Sequence, residues 1–402
     1  MSTTMTDGEI RYDPYDPELQ LDPYPMFRRM REEAPLYYND QYDFYALSRF
    51  DDVEAAFKDH QSFSSAKSDI LELIKTPMEL PPGVFIFEDP PQHTAHRGIL
   101  SRVFTPKKML ALEPQIREYC ARVLDPLVGT DRLDFVADLG ATMPMKVIGM
   151  LLGIPEEEQE EIRVHQDNKL RREEGQPGTF DDDQFADGTF FEELVDRRTA
   201  HPADDLMTAL IQAEFEDETG TVRRLTRDEL LIFLNILATA GNETTNRVIG
   251  WSGKILGDHP DQRRRLADDP SLITNAVEEI LRYQPPALQS CRYVTRDVEL
   301  HGQTVPEGSA LMLIMASANR DDRVFPPDGD AFDVTRKINH HLTFGYGIHF
   351  CLGAALARLE ARIAVDEILQ RFPEWEVDMS AAKLDNSQVR GWASLPVHLP
   401  TA

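Results

Sequence analysis

Phe344–Gly353 reads FGYGIHFCLG, and its last residue opens a run of strong helix formers, GAALARLEARIAVDEILQRF. Gly345, Gly347 and Gly353 make a loop whose backbone can approach something flat and rigid. In the run that follows, Leu356, Leu359, Ile363 and Ile368 fall near one face of a helix. Cys351 therefore stands at a helix N-terminus, where the dipole and the free N–H groups favour a thiolate. A thiolate on a glycine loop is a soft metal ligand. Taken alone, Cys351 also reads as a buried, inert thiol beside a turn.

Working outward, the next telling stretch is Leu230–Leu256, LLIFLNILATAGNETTNRVIGWSGKIL, opened by the capping-box pattern Thr226-Arg-Asp-Glu229. A helix of some thirty residues is expected there, about 45 Å long. It is apolar on most sides and should cross the core. Ala240-Gly-Asn-Glu-Thr-Thr245 places an acid and two hydroxyls in its middle, groups that are costly in a core unless hydrogen-bonded. A kink with satisfied polar groups, or a pocket with a proton relay, would account for them. Asp269-Pro270 reads as an N-cap and first-turn proline for the helix holding Ala276–Tyr283. Residues 36–50 read as a hairpin, the first thirty as an extended arm followed by a helix, and Arg292–Val305 and the region near Val397 as strands. The fold class expected is mainly α with a small β portion.

Composition bounds the rest. The 402 residues carry 70 acids against 42 Lys and Arg, a net charge of −28. That balance disfavours nucleic acid and anionic lipid as partners. Hydrophobic residues make up 41%, ample for a core. Three cysteines exclude a disulfide framework, and Cys120 and Cys291 read as structural. The longest apolar run, Leu230–Gly241, falls short of the roughly 20 residues of a span. The start, MSTTMTDGEI, lacks the basic and apolar pattern of a signal peptide. A cytoplasmic, monomeric protein without a membrane segment is expected, with one domain over residues 1–402.

The cysteine loop resembles the haem-binding signature of the cytochrome P-450 superfamily, Phe-Gly-x-Gly-x-His-x-Cys-x-Gly. Every fixed position matches: Phe344, Gly345, Gly347, His349, Cys351 and Gly353. The resemblance implies that Cys351 is the axial ligand of haem iron. It implies the fold of that family, with haem b between the long distal helix and the helix after Cys351. Glu279-Ile-Leu-Arg282 and Arg336 are similar to the family's structural Glu-x-x-Arg pair and its third partner. Ala240–Thr245 is similar to the distal motif, so Ala240 and Gly241 would border the haem, and Glu243 and Thr244 would form the acid–alcohol pair that delivers protons. His93 and Arg97 in HTAHR, Arg292, and His349 match positions that meet the haem propionates as cationic donors. The turn RGWASLPVHL near the C-terminus completes a likeness covering nearly the whole chain.

The resemblance to soluble bacterial members implies a monooxygenase inserting one oxygen atom into a hydrophobic lipid, terpenoid, steroid or aromatic compound. Relatives that use peroxide, or that do not oxygenate, often lack the acid–alcohol pair, and a haem sensor or carrier needs no polar break in the distal helix. Substrate contacts are expected from Val84, Phe85, Phe87, Ala240, Ala287, Leu288 and Trp392, and from the region Gln166–Phe191, whose acidic, glycine-containing part Arg171–Asp187 reads as a lid. The chain ends 51 residues after Cys351, so electrons from NAD(P)H are expected through a separate ferredoxin or flavodoxin. Residues 93–108 and 334–359 contain no acid. Their Arg97, Arg102, Lys107, Lys108, Lys337 and Arg358 would form a basic docking patch for an acidic donor.

Overall fold

The computed structural model describes residues 8–78, 80–170, 175–179, 188–385 and 389–400. In it the capping box starts one uninterrupted helix, Arg227–Asp258, of 32 residues. Thr226 Oγ1 accepts the Glu229 N–H at 3.2 Å, and the Glu229 carboxylate accepts the Thr226 N–H at 2.8 Å. This distal helix is buried along most of its length. It packs on helix Met143–Leu152, on the π-helical turn Phe135–Gly140 and on the proximal helix Ala354–Arg371. The approach is close: a Cβ on Gly253 would lie 2.4 Å from the Phe135 ring. The expected polar break does not interrupt the helix. The Thr244 hydroxyl instead donates to the Ala240 carbonyl one turn back, at 2.7 Å.

The hairpin Leu36–Asn39 and Phe44–Leu47 extends into a five-stranded sheet with Ala310–Leu313, Ser290–Val294 and Phe63–Ser64. Tyr45 pairs with Leu311 in parallel, and Met312 pairs with Cys291 antiparallel. That register fixes Arg292 next to the cavity described below. Pro396–His398 pairs with Arg132–Asp134 and Glu376–Val377. Asp269 caps only a single 3-10 turn, Pro270–Leu272, and the helix proper is Ile273–Tyr283. One apolar stretch was not foreseen. Among the described residues Phe135–Leu152 is long and apolar enough to cross a membrane, and 61% of it is buried inside the fold.

Glu279 and Arg282 are fully buried. Arg282 donates twice to the Glu279 carboxylate, at 2.6 and 2.7 Å, and to the carbonyls of Asn319, Gly329 and Ala331. Arg336 reaches the same carboxylate at 3.2 Å. Asn319 in turn donates to Thr343 Oγ1 at 2.9 Å and accepts the Leu342 N–H at 2.7 Å. The buried pair is thereby tied to the residues that lead into Phe344.

Candidate active site

The cysteine loop is held by its own backbone. The Cys351 N–H donates to the Phe344 carbonyl at 2.9 Å, and the Gly345 N–H to the Leu342 carbonyl at 2.9 Å. Gly345 and Gly347 take φ of 66° and 74°, the left-handed region. At Gly347 space is decisive as well, since a Cβ would stand 2.6 Å from the Phe57 carbonyl oxygen. Cys351 is exposed and lines a cavity. Phe344, Gly345, His349, Cys351 and Gly353 line one wall of that cavity, and Ala240, Gly241, Thr244 and Thr245 line another. Arg97, His93 and Arg292 border it too.

Two opposing effects act on the Cys351 thiol in the ligand-free chain. Burial pushes the Cys351 thiol up from its ordinary range, against the pull of the Gly353 N–H, of Arg97 and Arg358, and of the Ala354 N–H. A coordinated cation would deprotonate the thiol outright, with the helix N–H groups acting in the same direction.

The two cavity histidines are depressed in the ligand-free chain. Burial, with Arg97 nearby, lowers His93 to about 4. Burial, with His93, Arg292 and Arg97, lowers His349 to about 3. The two rings lie 4.1 Å apart. Both residues are neutral in the ligand-free chain, and the Nε2 atom of each is buried without a hydrogen-bond partner. Two orphaned ring nitrogens and two guanidinium groups beside a cavity with a thiol on its wall suit a flat metal macrocycle bearing carboxylates. The haem of the sequence expectation fits this donor set.

Glu243 and Thr244 part company. Successive helix residues point about 100° apart, and only Thr244 lines the cavity. Glu243 is buried against Arg247, one turn on, and Arg247 is itself bonded to Asp385 and, at 2.6 Å, to the Trp392 carbonyl. In this structure the Glu243 carboxylate faces Arg247 and the Thr244 hydroxyl faces the cavity. Sequence reading missed another acid. Glu360, on the proximal helix, lines the cavity at 1% exposure and has an unpartnered Oε2. Burial raises its carboxyl well above the usual range, so it can hold a proton at this wall.

Of the substrate contacts expected, Phe85, Ala240 and Ala287 line the cavity. Val84 and Phe87 face the core instead, because the single 3-10 turn Phe85–Phe87 sends Phe85 and Ile86 to the cavity. Leu288 packs among the N-terminal aromatics, and Trp392 packs against Trp251 at a tilt, ring centroids 5.2 Å apart. The apolar wall comes from residues no motif marks, including Phe104, Ile148, Ile236 and Leu237. Of the lid expected over Arg171–Asp187, all but residues 175–179 lie outside the described residues.

Two members of the expected basic patch serve elsewhere. Arg358 is paired with Glu278 at 2.7 Å and lies over the Phe344 ring, and Arg97 borders the cavity and donates to the Phe350 carbonyl. A local sequence window cannot count an acid that arrives from another helix. Arg102, Lys107, Lys108 and Lys337 remain exposed. Helix Pro106–Leu110, carrying both lysines, packs on the proximal helix.

A thiol-bearing glycine loop facing a long distal helix across such a cavity defines a haem-thiolate protein. The comparisons agree. The family model described as cytochrome P-450 matches residues 183–396. A cytochrome P-450 of Mycobacterium tuberculosis is 38% identical over 99% of both chains. The vitamin D(3) 25-hydroxylase of Pseudonocardia autotrophica is 34% identical over 98% of this chain and 97% of its own. Among solved structures, the Bacillus megaterium enzyme in complex with testosterone has a TM-score of 0.83 at 29% identity, covering 95% of this chain and 99% of its own. The chain belongs to the cytochrome P-450 family. It is a monooxygenase of the oxidoreductase class, with haem iron as its cofactor.

Proposed function

We propose that the chain hydroxylates a hydrophobic small molecule of lipid, terpenoid, steroid or aromatic type, using haem b and electrons from NAD(P)H passed on by a separate ferredoxin or flavodoxin. The observation that carries the reading is the cavity itself, with the Cys351 thiol on one wall and the Thr244 hydroxyl on another. When bound, haem supplies the reductive activation of dioxygen and the insertion of one oxygen atom. Cys351 Sγ would hold the iron. Arg97 and Arg292, with N–H groups of His93 and His349, would hold the propionates. Phe344, Gly345, Gly353, Ala240 and Gly241 would shape the two faces.

The Thr244 hydroxyl would pass protons into the cavity once it leaves the Ala240 carbonyl. Glu243 would resupply it by rotating off Arg247. The apolar wall would exclude water and orient the substrate, with Phe85 and Ala287 setting its pose. Exposed Arg102, Lys107, Lys108 and Lys337 would steer an acidic donor to the cysteine side. Two kinds of relative support the substrate class, the vitamin D(3) hydroxylase and the testosterone complex.

A compound screen tests this reading. Steroids, terpenoids, fatty acids and aromatics are titrated into haem-loaded protein, and the visible spectrum is read for a spin-state shift. Hits are then turned over with ferredoxin, reductase and NAD(P)H. One oxygen atom from dioxygen in the product is expected. Conversion that proceeds with peroxide and not with the redox chain would overturn it.

A further inference from the structure

Val84–Glu88 reads VFIFE, and its single polar side chain is the last. The segment turns Phe85 and Ile86 onto the catalytic cavity, and Glu88 closes the turn as its C-cap residue. The Glu88 side chain points inward. It is buried, and His96 Nδ1 lies 2.9 and 2.8 Å from its two oxygens. With a carboxylate as partner, Nδ1 is the donor. Among the described residues His96 is the side chain that hydrogen-bonds Glu88.

His96 is itself only 1% exposed, and its ring is enclosed on its other sides. Phe215 and Phe233 meet it in T-shaped contacts, ring centroids 5.5 and 5.3 Å away. Beyond Nε2, at 3.8 Å, stands Glu229 Oε1. Arg223 donates twice to that carboxylate, at 2.7 and 2.9 Å. Glu229 belongs to the capping box of the distal helix, so His96 stands between the turn and the start of that helix. Two further contacts join the same elements. The Phe85 ring meets Phe233 at 4.9 Å. Gly83, at φ 98°, comes so near that a Cβ there would stand 3.1 Å from Glu229 Cα. The segment is thus fixed against the distal helix by Gly83, by Phe85 and, through His96, by Glu88. Removing His96 would leave a buried carboxylate unpaired, which is costly, and the turn would shift to relieve it.

We propose that His96 is a positioning residue for ligand selection. It does not line the cavity, yet by holding Glu88 it fixes the Phe85 and Ile86 wall on which a bulky ligand packs. The proposal rests on the reading of this cavity as the haem and substrate site, which the binding of a small azole reports separately.

The test is titration of haem-loaded protein with imidazole and with clotrimazole, each followed by the Soret shift as the azole nitrogen meets the iron. Imidazole is too small to pack on the wall, and the triaryl body of clotrimazole is not. The parent should bind clotrimazole the more tightly. His96→Leu and Glu88→Leu should each weaken clotrimazole about fivefold or more, because Phe85 and Ile86 must then be ordered on binding. Imidazole should stay within about twofold of the parent, and the double variant should lose no more than either single one, since both remove the same bond. Glu88→Gln still accepts from Nδ1 and should keep the parental preference. Glu88→Leu and Glu88→Gln decide the matter if His96→Leu does not load haem. A parental preference for clotrimazole in the leucine variants, or additive losses in the double variant, would overturn the proposal. Equal weakening of both azoles would overturn it too, His96 then serving the fold alone. A parent that binds neither azole would overturn the reading of the cavity, and this proposal with it.

Discussion

Replacing Arg282 with Lys tests how the cysteine loop is held. Arg282 makes five hydrogen bonds at 0% exposure, two to Glu279 and three to carbonyls of the segment Asn319–Ala331. A lysine offers three donors from a single point and cannot span both sets. At least two charge-assisted bonds are lost, at about 1.5–3 kcal/mol each. The expected loss is therefore about 3–6 kcal/mol, in line with the roughly 3–5 kcal/mol of a broken buried pair. Against a total stability of about 5–15 kcal/mol this is severe. Because Arg282 holds Asn319, and Asn319 holds Leu342 and Thr343, haem should also escape faster. The assay is urea unfolding followed by far-UV circular dichroism, with haem transfer to an acceptor globin measured in parallel. Arg336→Lys should also cost stability, since Arg336 bonds Glu279 at 3.2 Å and the carbonyls of Phe325, Pro326, Asp328 and Ala331. A loss below about 1 kcal/mol with unchanged haem transfer would refute the scaffold argument.

Further expectations follow from single residues. Thr244→Ala should keep haem and substrate binding yet cut product about 10²–10⁴-fold, the usual worth of a positioned proton donor. NAD(P)H consumption should continue with hydrogen peroxide replacing product, and normal product per NAD(P)H would reduce Thr244 to a helix-bonding residue. Lys107→Glu with Lys108→Glu should slow reduction by an acidic ferredoxin at low salt and flatten its salt dependence; an unchanged rate removes the docking proposal. Glu360, raised by burial, should cost stability as pH rises above the unfolded carboxylate range, because the unfolded chain then ionises first. Glu360→Gln should gain on the parent between pH 5 and pH 8 in urea unfolding, and a difference that stays flat with pH would contradict a neutral Glu360.

The helices around the site were legible because each carries a strong local signal. Thr226 with Glu229 marks a start, and the apolar run marks burial. The cysteine loop was legible because Gly347 has no room for a side chain beside Phe57. Long-range partners were not. Nothing near Arg358 foretells Glu278, and nothing near Glu243 foretells that Arg247 is fixed by Asp385 and Trp392. Cavity walls fared similarly. Ile148 and Glu360 occupy ordinary helix positions, and only the packing of three helices turns them toward Cys351. The charge state of His93 and His349 also depends on tertiary contact, since each is depressed by burial and by charges brought from other segments.

The central claim is that Cys351 binds the haem iron as a thiolate. Cys351→Ser, Cys291→Ser and the parent are each loaded with haem, reduced and exposed to carbon monoxide, and their visible spectra are compared. The parent and Cys291→Ser should show the thiolate-type band, and Cys351→Ser should lose it while Cys291 stays buried in the sheet. A thiolate-type band that survives in Cys351→Ser, or disappears in Cys291→Ser, would contradict the account.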